Sequence, residues 1–258
     1  MTTRPNKAVV ADNFSKYAGS YDIYTTVQGE AAGMLAKILP DDGVTKILEV
    51  GCGTGSYTRI LKDKFSRADI KAIDISAAMV KLARHKLDGR NVIFEVGDVE
   101  EIISGDKYDL ATSNAAFHWF NDLERVIGKM EELLTENGVL LFSAFGPKTF
   151  SELKASLVSV SGEDVSIAPD TFPGRPEIEG LLRKYFKRAR ITERLIRESY
   201  ASLHELLAKI KYSGTRGAGS DMKKAWSPGL LKKIERAYVE RFGSIEATYQ
   251  VFFCEAVK

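Results

Sequence analysis

The segment KILEVGCGTGSYTRIL, residues 46–61, decides the fold, because a β-branched run turns into a helix-like pattern across three glycines in five positions. Glycine-rich turns at the carboxyl end of a first strand let a ligand approach the backbone closely, and the N-terminus of the following helix adds partial positive charge. The segment therefore predicts a buried strand, a binding turn and a helix in direct succession.

The rest of the chain alternates between strand-like and helix-like patterns around this segment. Between apolar, β-branched runs, short links lead to helical patterns over 56–64, 76–87 and 122–135. Such alternation is typical of a parallel sheet with helices on both faces. Strands are predicted over 44–50, 68–74, 91–98, 108–114, 138–146, 188–200 and 244–257. We therefore expect an α/β fold with a doubly wound, seven-stranded, mostly parallel sheet.

Two helical segments accompany the predicted sheet. Residues 1–42 precede the first strand, and residues 201–243 separate the last two strands. A hairpin needs only a few residues to join antiparallel neighbours, so we interpret the long insertion as a helical lid. We expect a single domain over 1–258, with its sheet core at 43–200 and 244–258.

Composition excludes several classes of protein. The chain has 258 residues, of which 44% are hydrophobic and 28% are charged, as expected for a soluble globular protein with one substantial core. No stretch approaches the roughly 20 apolar residues that span a bilayer, and the start lacks the apolar core of a signal peptide, so we expect a cytoplasmic location. Two distant cysteines and three scattered histidines favour neither a disulfide framework nor a metal site.

Charge is distributed unevenly along the chain. Residues 1–150 hold 18 basic and 21 acidic side chains, whereas residues 151–258 hold 19 basic and 14 acidic ones. Between Lys209 and Arg241, inside the expected lid, nine basic residues face three acidic ones. A basic lid would steer an acidic partner towards the site that it covers.

The glycine turn departs from the dinucleotide-binding pattern. That pattern requires a third small residue where Ser56 stands, so a pyrophosphate ligand is disfavoured. Glu49 adds a carboxylate two residues before Gly51, which would repel phosphate but could accept hydrogen bonds from a cation. S-adenosylmethionine fits this pattern, because it carries an ammonium and a sulfonium group and no phosphate.

Further cofactor contacts are expected at the ends of the following strands. Asp74 lies 19 positions after Gly55, where a carboxylate accepts both ribose hydroxyls. Asp98 is expected to accept a hydrogen bond from the adenine amino group. The SNAAF stretch is expected to line the methionine part of the cofactor. Cys52 is interpreted as a small residue in a tight loop, because nothing beside it would lower its pKa. The predicted cofactor-binding residues are Glu49, Gly51, Cys52, Gly53, Gly55, Asp74, Ile75, Met79, Asp98, Val99 and Asn114.

These motifs resemble those of class I S-adenosylmethionine-dependent methyltransferases. LEVGCGTG, AIDIS, GDVE and ENGVLLFS follow one another in that family's order. A closer resemblance, to the malonyl-acyl-carrier-protein O-methyltransferase family of biotin synthesis, covers nearly the whole chain. It lies in FSKYAGSYDIYTTVQ, in SNAAFHWFNDLERVIGKMEELLTENGVLLFSAFGPKTFSELKASL and in the terminal ATYQVFF.

The resemblance implies a Rossmann-like methyltransferase fold and a specific reaction. The free carboxylate of a malonyl thioester would be methylated, with S-adenosylmethionine as cofactor and S-adenosylhomocysteine as product. The implied partner is an acyl carrier protein bearing malonyl-phosphopantetheine, or malonyl-coenzyme A in its place. Nucleic acid, membrane and metal are not expected to take part, and the chain is expected to be a monomer.

A carboxylate acceptor requires no general base. Its pKa is near ~4, so it is already ionised at neutral pH and only needs to be placed in line behind the methyl carbon with water excluded. Cations and aromatic walls would orient it. The candidate substrate-orienting residues are Tyr17, Tyr21, His118, Trp119, Arg175 and Arg216.

Three other functions are compatible with parts of the sequence. A nucleic-acid amino-methyltransferase is disfavoured, because SNAAF stands where such enzymes carry an N/D-P-P-Y/F turn. A small-acid carboxylate methyltransferase of the trans-aconitate type would share the chemistry, and only the lid separates the two interpretations. A non-catalytic, methyltransferase-like partner subunit is opposed by the intact glycines and acidic residues.

Overall fold

A computed structural model describes residues 7–101, 105–213 and 226–258 of the chain. The predicted seven-stranded sheet is confirmed, with strand boundaries within a few residues of those expected. Its strands are β1 (Lys46–Val50), β2 (Asp69–Asp74), β3 (Val92–Val96), β4 (Tyr108–Ser113), β5 (Leu134–Phe145), β6 (Arg188–Tyr200) and β7 (Ile245–Val257). Across the sheet they follow the order β3-β2-β1-β4-β5-β7-β6.

The first five strands are parallel, and their carboxyl ends meet at one edge of the sheet. β7 runs antiparallel to both β5 and β6, so β6 points in the same direction as β5. The order of the strands reverses between β1 and β4, which leaves a crevice beyond their carboxyl ends. In open α/β sheets this crevice is where ligands bind.

Helices cover both faces of the sheet. They are α1 (Lys7–Tyr17), α2 (Tyr21–Tyr24), α3 (Thr26–Ala36), α4 (Ser56–Lys64), α5 (Ala77–Lys86), α6 (Leu123–Leu133), α7 (Ser151–Ser161), α8 (Arg175–Tyr185), α9 (Leu203–Tyr212) and α10 (Pro228–Phe242). Neighbouring residues of β1 belong to two hydrophobic clusters. Ile47 lies in the cluster that contains residues of α1, α3, α4, α5, α7, α9 and α10, whereas Leu48 lies in the cluster that contains residues of α6 and α8. Strand alternation thus directs these helices to one face of the sheet or the other.

Local sequence explains how a typical covering helix forms. The Asp122 carboxylate accepts a hydrogen bond from the Arg125 N–H and caps α6. Behind the cap, buried apolar side chains recur every three or four residues, at Leu123, Val126, Ile127 and Met130. This spacing puts all four on one helical face, which packs on the sheet.

The helices α9 and α10 lie between β6 and β7, within the segment predicted as a lid. Tyr212 of α9 stacks on Tyr24 at 4.8 Å between ring centroids and meets the edge of Tyr17 at 5.3 Å. Lys209 of α9 binds the Thr26 hydroxyl at the beginning of α3. The N-terminal helices and α9 therefore support each other. Across the described ranges, no helix is both long and apolar enough to cross a membrane.

Glu49 and His118 are two of the titratable side chains that lie in the interior. The Glu49 carboxyl is 1% exposed and its Oε2 atom has no hydrogen-bond partner among the described residues; burial and the nearby Asp74 charge raise its pKa to about 8. His118 is 2% exposed, and burial lowers the pKa of its imidazole to about 3. Folding therefore favours the neutral form of both groups.

These two groups predict how stability depends on pH. Folded Glu49 holds a proton that the unfolded chain loses above about pH 4.3, so this residue lowers stability as pH rises to about 8. His118 has the opposite effect, but only below its unfolded pKa of about 6.5. Between about pH 6.5 and 8 Glu49 still lowers stability whereas His118 no longer contributes, so urea unfolding there should show stability falling with pH. In Glu49→Gln the fall should be much smaller, whereas an unchanged slope would mean that another group titrates.

Gly55 fixes the contact between α4 and α5. Its φ is +84°, and a Cβ built on it would lie 2.9 Å from Leu87 Cδ1 and 3.1 Å from Ala83 Cβ. The absence of a side chain therefore lets the beginning of α4 approach α5. Gly89 provides a comparison, because its φ is +73° but a Cβ at this position would have nothing within 4 Å.

We expect Gly55→Ala to destabilise the protein more than Gly89→Ala. Both substitutions add left-handed strain of about 1–2 kcal/mol, and only the first adds overpacking of about 1–3 kcal/mol. Urea unfolding of the two variants and the parent chain measures the difference. Equal losses would contradict a packing role for Gly55.

Candidate active site

The turn after β1 forms a backbone cradle. The N–H groups of Gly51 and Cys52 both donate to the Ile73 carbonyl, and the Gly53 N–H donates to the Asp74 carboxylate at 2.8 Å. Gly53 has φ +53° and borders the crevice, where a Cβ would meet only the Tyr21 ring at 4.0 Å. A ligand can therefore lie directly against this backbone.

Asp74 is the last residue of β2 and lies beside the glycine turn that follows β1. One carboxylate oxygen accepts from the Gly53 N–H and the other from the Ser76 N–H at 2.9 Å. Burial raises its pKa, and the two backbone hydrogen bonds oppose this shift. Each oxygen keeps a second lone pair, so the fixed carboxylate can still accept from two ligand hydroxyls.

The cleft extends from this carboxylate over the ends of β1, β2, β3 and β4. Its walls combine backbone, apolar and aromatic surface, a composition typical of small-molecule sites. Phe14 of α1 meets Tyr21 and Trp119 edge to face, each at 6.0 Å, and closes one side. Lining residues from the predicted cofactor set are Gly51, Gly53, Asp74, Ile75, Met79, Asp98, Val99 and Asn114.

Lys7 occupies one end of this cleft. Its ammonium lies 2.6 Å from Asp98 Oδ2 and 2.9 Å from Glu100 Oε1. Burial opposes the charge, but the two carboxylates outweigh it and raise the pKa of Lys7. Asp98 Oδ1 accepts from the Glu100 N–H at 3.0 Å. Lys7, Val10 and Phe14 place α1 along the cleft, whereas the sequence indicated only Tyr17 of this helix as a site residue.

A second cavity continues from the cleft past Tyr21 and Asn114. The Asn114 amide donates to the Gln28 carbonyl at 2.9 Å and accepts from Ser143 at 2.8 Å, which joins α3 to β5. Gln28 lines this cavity, is 7% exposed, and its Oε1 atom has no partner among the described residues. An unpaired buried acceptor fits a ligand that brings a hydrogen-bond donor.

The remaining predicted cofactor residues lie away from the open cleft. Glu49 is buried beneath the turn, and Gly55 packs against α5. Cys52 borders the second cavity, but burial raises the pKa of its thiol well above the usual range, with Glu49 and Asp74 adding to the shift. A thiol held protonated is a poor nucleophile.

The structure separates the substrate-orienting candidates. Tyr21 and Trp119 line the cleft, whereas Tyr17 packs against Tyr212 of α9. His118 accepts from the Phe145 N–H through Nδ1 at 3.3 Å and lies among Trp119, Phe145 and Phe172. Arg175 begins α8 and donates to the Ile191 carbonyl of β6 at 3.4 Å, away from the cleft walls. Arg216 lies outside the described residues.

Comparison with known proteins agrees with this architecture. A sequence profile described as a methyltransferase domain matches residues 41–234. In solved structures, the YcgJ protein of Bacillus subtilis aligns with a TM-score of 0.63 at 14% identity, over 89% of this chain and 98% of its own. Phosphoethanolamine N-methyltransferase 2 of Haemonchus contortus aligns with a TM-score of 0.55 at 17% identity, over 89% of this chain and 52% of its own. At these identities the likeness concerns the fold alone.

Curated relatives match over nearly the full length. The malonyl-[acyl-carrier protein] O-methyltransferase of Acetivibrio thermocellus is 34% identical, over 98% of this chain and 94% of its own. The enzyme of the same name in Bacillus cereus is 31% identical, over 98% of both chains. The chain therefore carries a methyltransferase domain and belongs to the malonyl-acyl-carrier-protein O-methyltransferase family.

Proposed function

We propose that this enzyme transfers the methyl group of S-adenosylmethionine to the free carboxylate of a malonyl group carried by an acyl carrier protein. The proposal rests on the full-length similarity to enzymes named for that activity, combined with a cleft at the reversal point of the sheet. The reaction masks the charged end of the malonyl group, an early step in making the pimeloyl part of biotin. We also propose a cytoplasmic, monomeric protein.

The proposed donor site uses the chain's existing hydrogen-bonding groups. Asp74 accepts from the ribose hydroxyls through the lone pairs that Gly53 and Ser76 leave open. Asp98 and Val99 serve the adenine end, and Asn114 and Gln28 the amino-acid end, where Gln28 Oε1 needs a donor. When bound, S-adenosylmethionine supplies an electrophilic methyl group.

The proposed acceptor role needs orientation more than proton transfer. Tyr21 and Trp119 line the cleft beside the turn, where their rings would shield a bound carboxylate from water. Arg216 remains our proposed carboxylate-binding cation, because Arg175 bonds to β6 instead. A malonyl carboxylate that arrives ionised leaves no step for a general base.

The donor assignment predicts the effect of Asp74→Ala. The substitution removes a charged acceptor from two hydroxyls, so S-adenosylhomocysteine binding should weaken by about 1.5–3 kcal/mol per hydrogen bond. Titration calorimetry measures the dissociation constant, with Asp88→Ala as a control that removes an exposed carboxylate. An unchanged dissociation constant in Asp74→Ala would mean that the cofactor binds elsewhere.

The acceptor assignment predicts a specificity order. Malonyl thioesters should be methylated, whereas acetyl thioesters, which lack a free carboxylate, should be inert. Initial rates with malonyl-acyl carrier protein, malonyl-coenzyme A and trans-aconitate under equal conditions test this order. Faster methylation of trans-aconitate would favour the small-acid function, and binding of cofactor without any turnover would favour a partner subunit.

A growth assay tests the biological role directly. The gene should restore growth without biotin to a bacterial strain that lacks its own malonyl-acyl-carrier-protein methyltransferase. Failure by a soluble, well-expressed protein would contradict the proposed pathway. Asp74→Ala, expressed at the same level, provides the negative control.

A further inference from the structure

The outer strand of the sheet carries an unusual row of cations. β6 is the last strand in the sheet order, so one of its edges has no neighbouring strand among the described residues. Four arginines on it are exposed, and none of their side chains forms a hydrogen bond or ion pair within the described ranges; three project from one face of the strand and Arg197 from the other, so all four border its outer edge. We call them the arginine edge: Arg188, Arg190, Arg194 and Arg197.

The acidic residues around this strand leave its charge largely uncompensated. Glu193 accepts from the Gln250 amide at 2.6 Å and lies 3.8 Å from Lys148. Glu198 binds Lys209 of α9. Glu255 of β7 pairs in register with Arg190 but forms no ion pair with it. The carboxylates within β6 are therefore engaged elsewhere, and the arginines remain free to bind an external anion.

The arginine edge reaches the level of the reaction site at its Arg194 end, whereas Arg188 pairs with Val257 and lies level with Val139, six residues before the end of β5. Arg194 pairs in register with Val251, which pairs with Phe145 at the carboxyl end of β5. Arg194 is therefore level with the edge of the sheet where the cleft opens. Asn114 follows β4, and three strand spacings separate β4 from β6, or about 14 Å. A flexible arm attached to a partner docked on β6 would have to cross only β7 and β5 to reach the cleft.

The lid is a weaker candidate for docking than its sequence suggested. Lys209 is 7% exposed and paired with Glu198, so it cannot attract a distant partner. Arg236 pairs with Glu240 at 2.7 Å. Lys211 lies over the Tyr212 ring. Lys223 and Lys224 lie outside the described residues.

We propose that the arginine edge is the docking surface for the acyl carrier protein, an inference that rests on the proposed function. Acyl carrier proteins are strongly acidic, and planar guanidinium groups bind carboxylates in a bidentate manner that lysine cannot match. Leu195, 52% exposed, follows Arg194 and projects, like Arg197, from the other face of the strand, so it adds apolar surface to the outer edge. A second copy is disfavoured, because like charges would meet along the strand. Single-stranded nucleic acid is disfavoured as well, because the strip offers no exposed aromatic side chain for base stacking.

Paired charge reversals separate this surface from the lid. The test variant is R190E/R194E. The matched control is K232E/K233E on α10, which likewise reverses two positive charges, at exposed lysines. Each is assayed with malonyl-acyl carrier protein and with malonyl-pantetheine, which has the same reactive group without the protein. R190E/R194E should raise the KM for the carrier-bound substrate by about tenfold at low salt, and less at high salt. Its kcat and its turnover of malonyl-pantetheine should stay near those of the parent chain.

The outcomes distinguish this inference from the proposed function. If the parent chain methylates neither substrate, the proposed function fails. If the parent chain is active and R190E/R194E retains the parent KM for malonyl-acyl carrier protein, the docking proposal is overturned. If K232E/K233E raised the KM for malonyl-acyl carrier protein equally, the docking proposal would also be overturned, because the lid would then steer the carrier as well. The milder variant R190Q/R194Q must show a smaller rise in the same direction, and its lack of any effect would count against the surface.

Discussion

The hydrogen bond from the Gly53 N–H to the Asp74 carboxylate joins the two strand ends on which the rest of the site depends. It holds the turn after β1 against the end of β2, and the Ser76 N–H fixes the same carboxylate from α5. Gly53 adopts the left-handed conformation that brings its N–H to Asp74, and its lack of a side chain leaves the crevice open. One carboxylate therefore orders the loop, holds Ser76 at the N-cap of α5 and presents its spare lone pairs to a ligand.

The N-terminal helices complete what the sheet begins. Lys7 ties α1 to Asp98 and Glu100, and Asp22 accepts from Thr54 in the glycine turn, so the segment is anchored at both ends of the cleft. Tyr24 and Tyr17 then support Tyr212 of α9. The N-terminal helices that enclose the proposed donor site therefore also contact α9 of the predicted lid. A movement of α9 must therefore disturb the contacts of the N-terminal helices, and the reverse also holds.

Much of the fold could be predicted from sequence because its signals are local. Buried strands are recognisable as apolar runs, and the glycines at positions 51, 53 and 55 indicate the turn after the first strand. The two helices between β5 and β6, α7 and α8, were not predicted. In this part of the sequence Gly174 and Pro176 mark the beginning of α8, but no comparable signal marks α7. The strand ends also indicated Asp74 and Asp98 as cleft residues, since parallel strands end at one edge.

The side-chain partners of these residues could not be predicted, because they come from distant parts of the chain. No pattern near Lys7 indicates that it reaches a carboxylate 91 residues away. Arg175 was expected at the substrate, but the orientation of α8 against β6 turns its guanidinium towards the Ile191 carbonyl. Lys209 counted as a steering charge in sequence, whereas Glu198 and Thr26 neutralise and bury it. Tertiary packing, rather than local propensity, decides such contacts.

The protonation states around the cleft bear on the kind of acceptor. Burial raises the pKa of the Tyr21 phenol and of the Cys52 thiol, with nearby carboxylates adding to both shifts. The His118 Nε2 atom is buried without a partner among the described residues, and burial lowers the pKa of its imidazole to about 3. An alcohol or an amine would have to lose a proton during methylation, and these groups are poorly placed to take it. A carboxylate loses its proton in water before it binds, so the cleft has only to hold it in line with the methyl group.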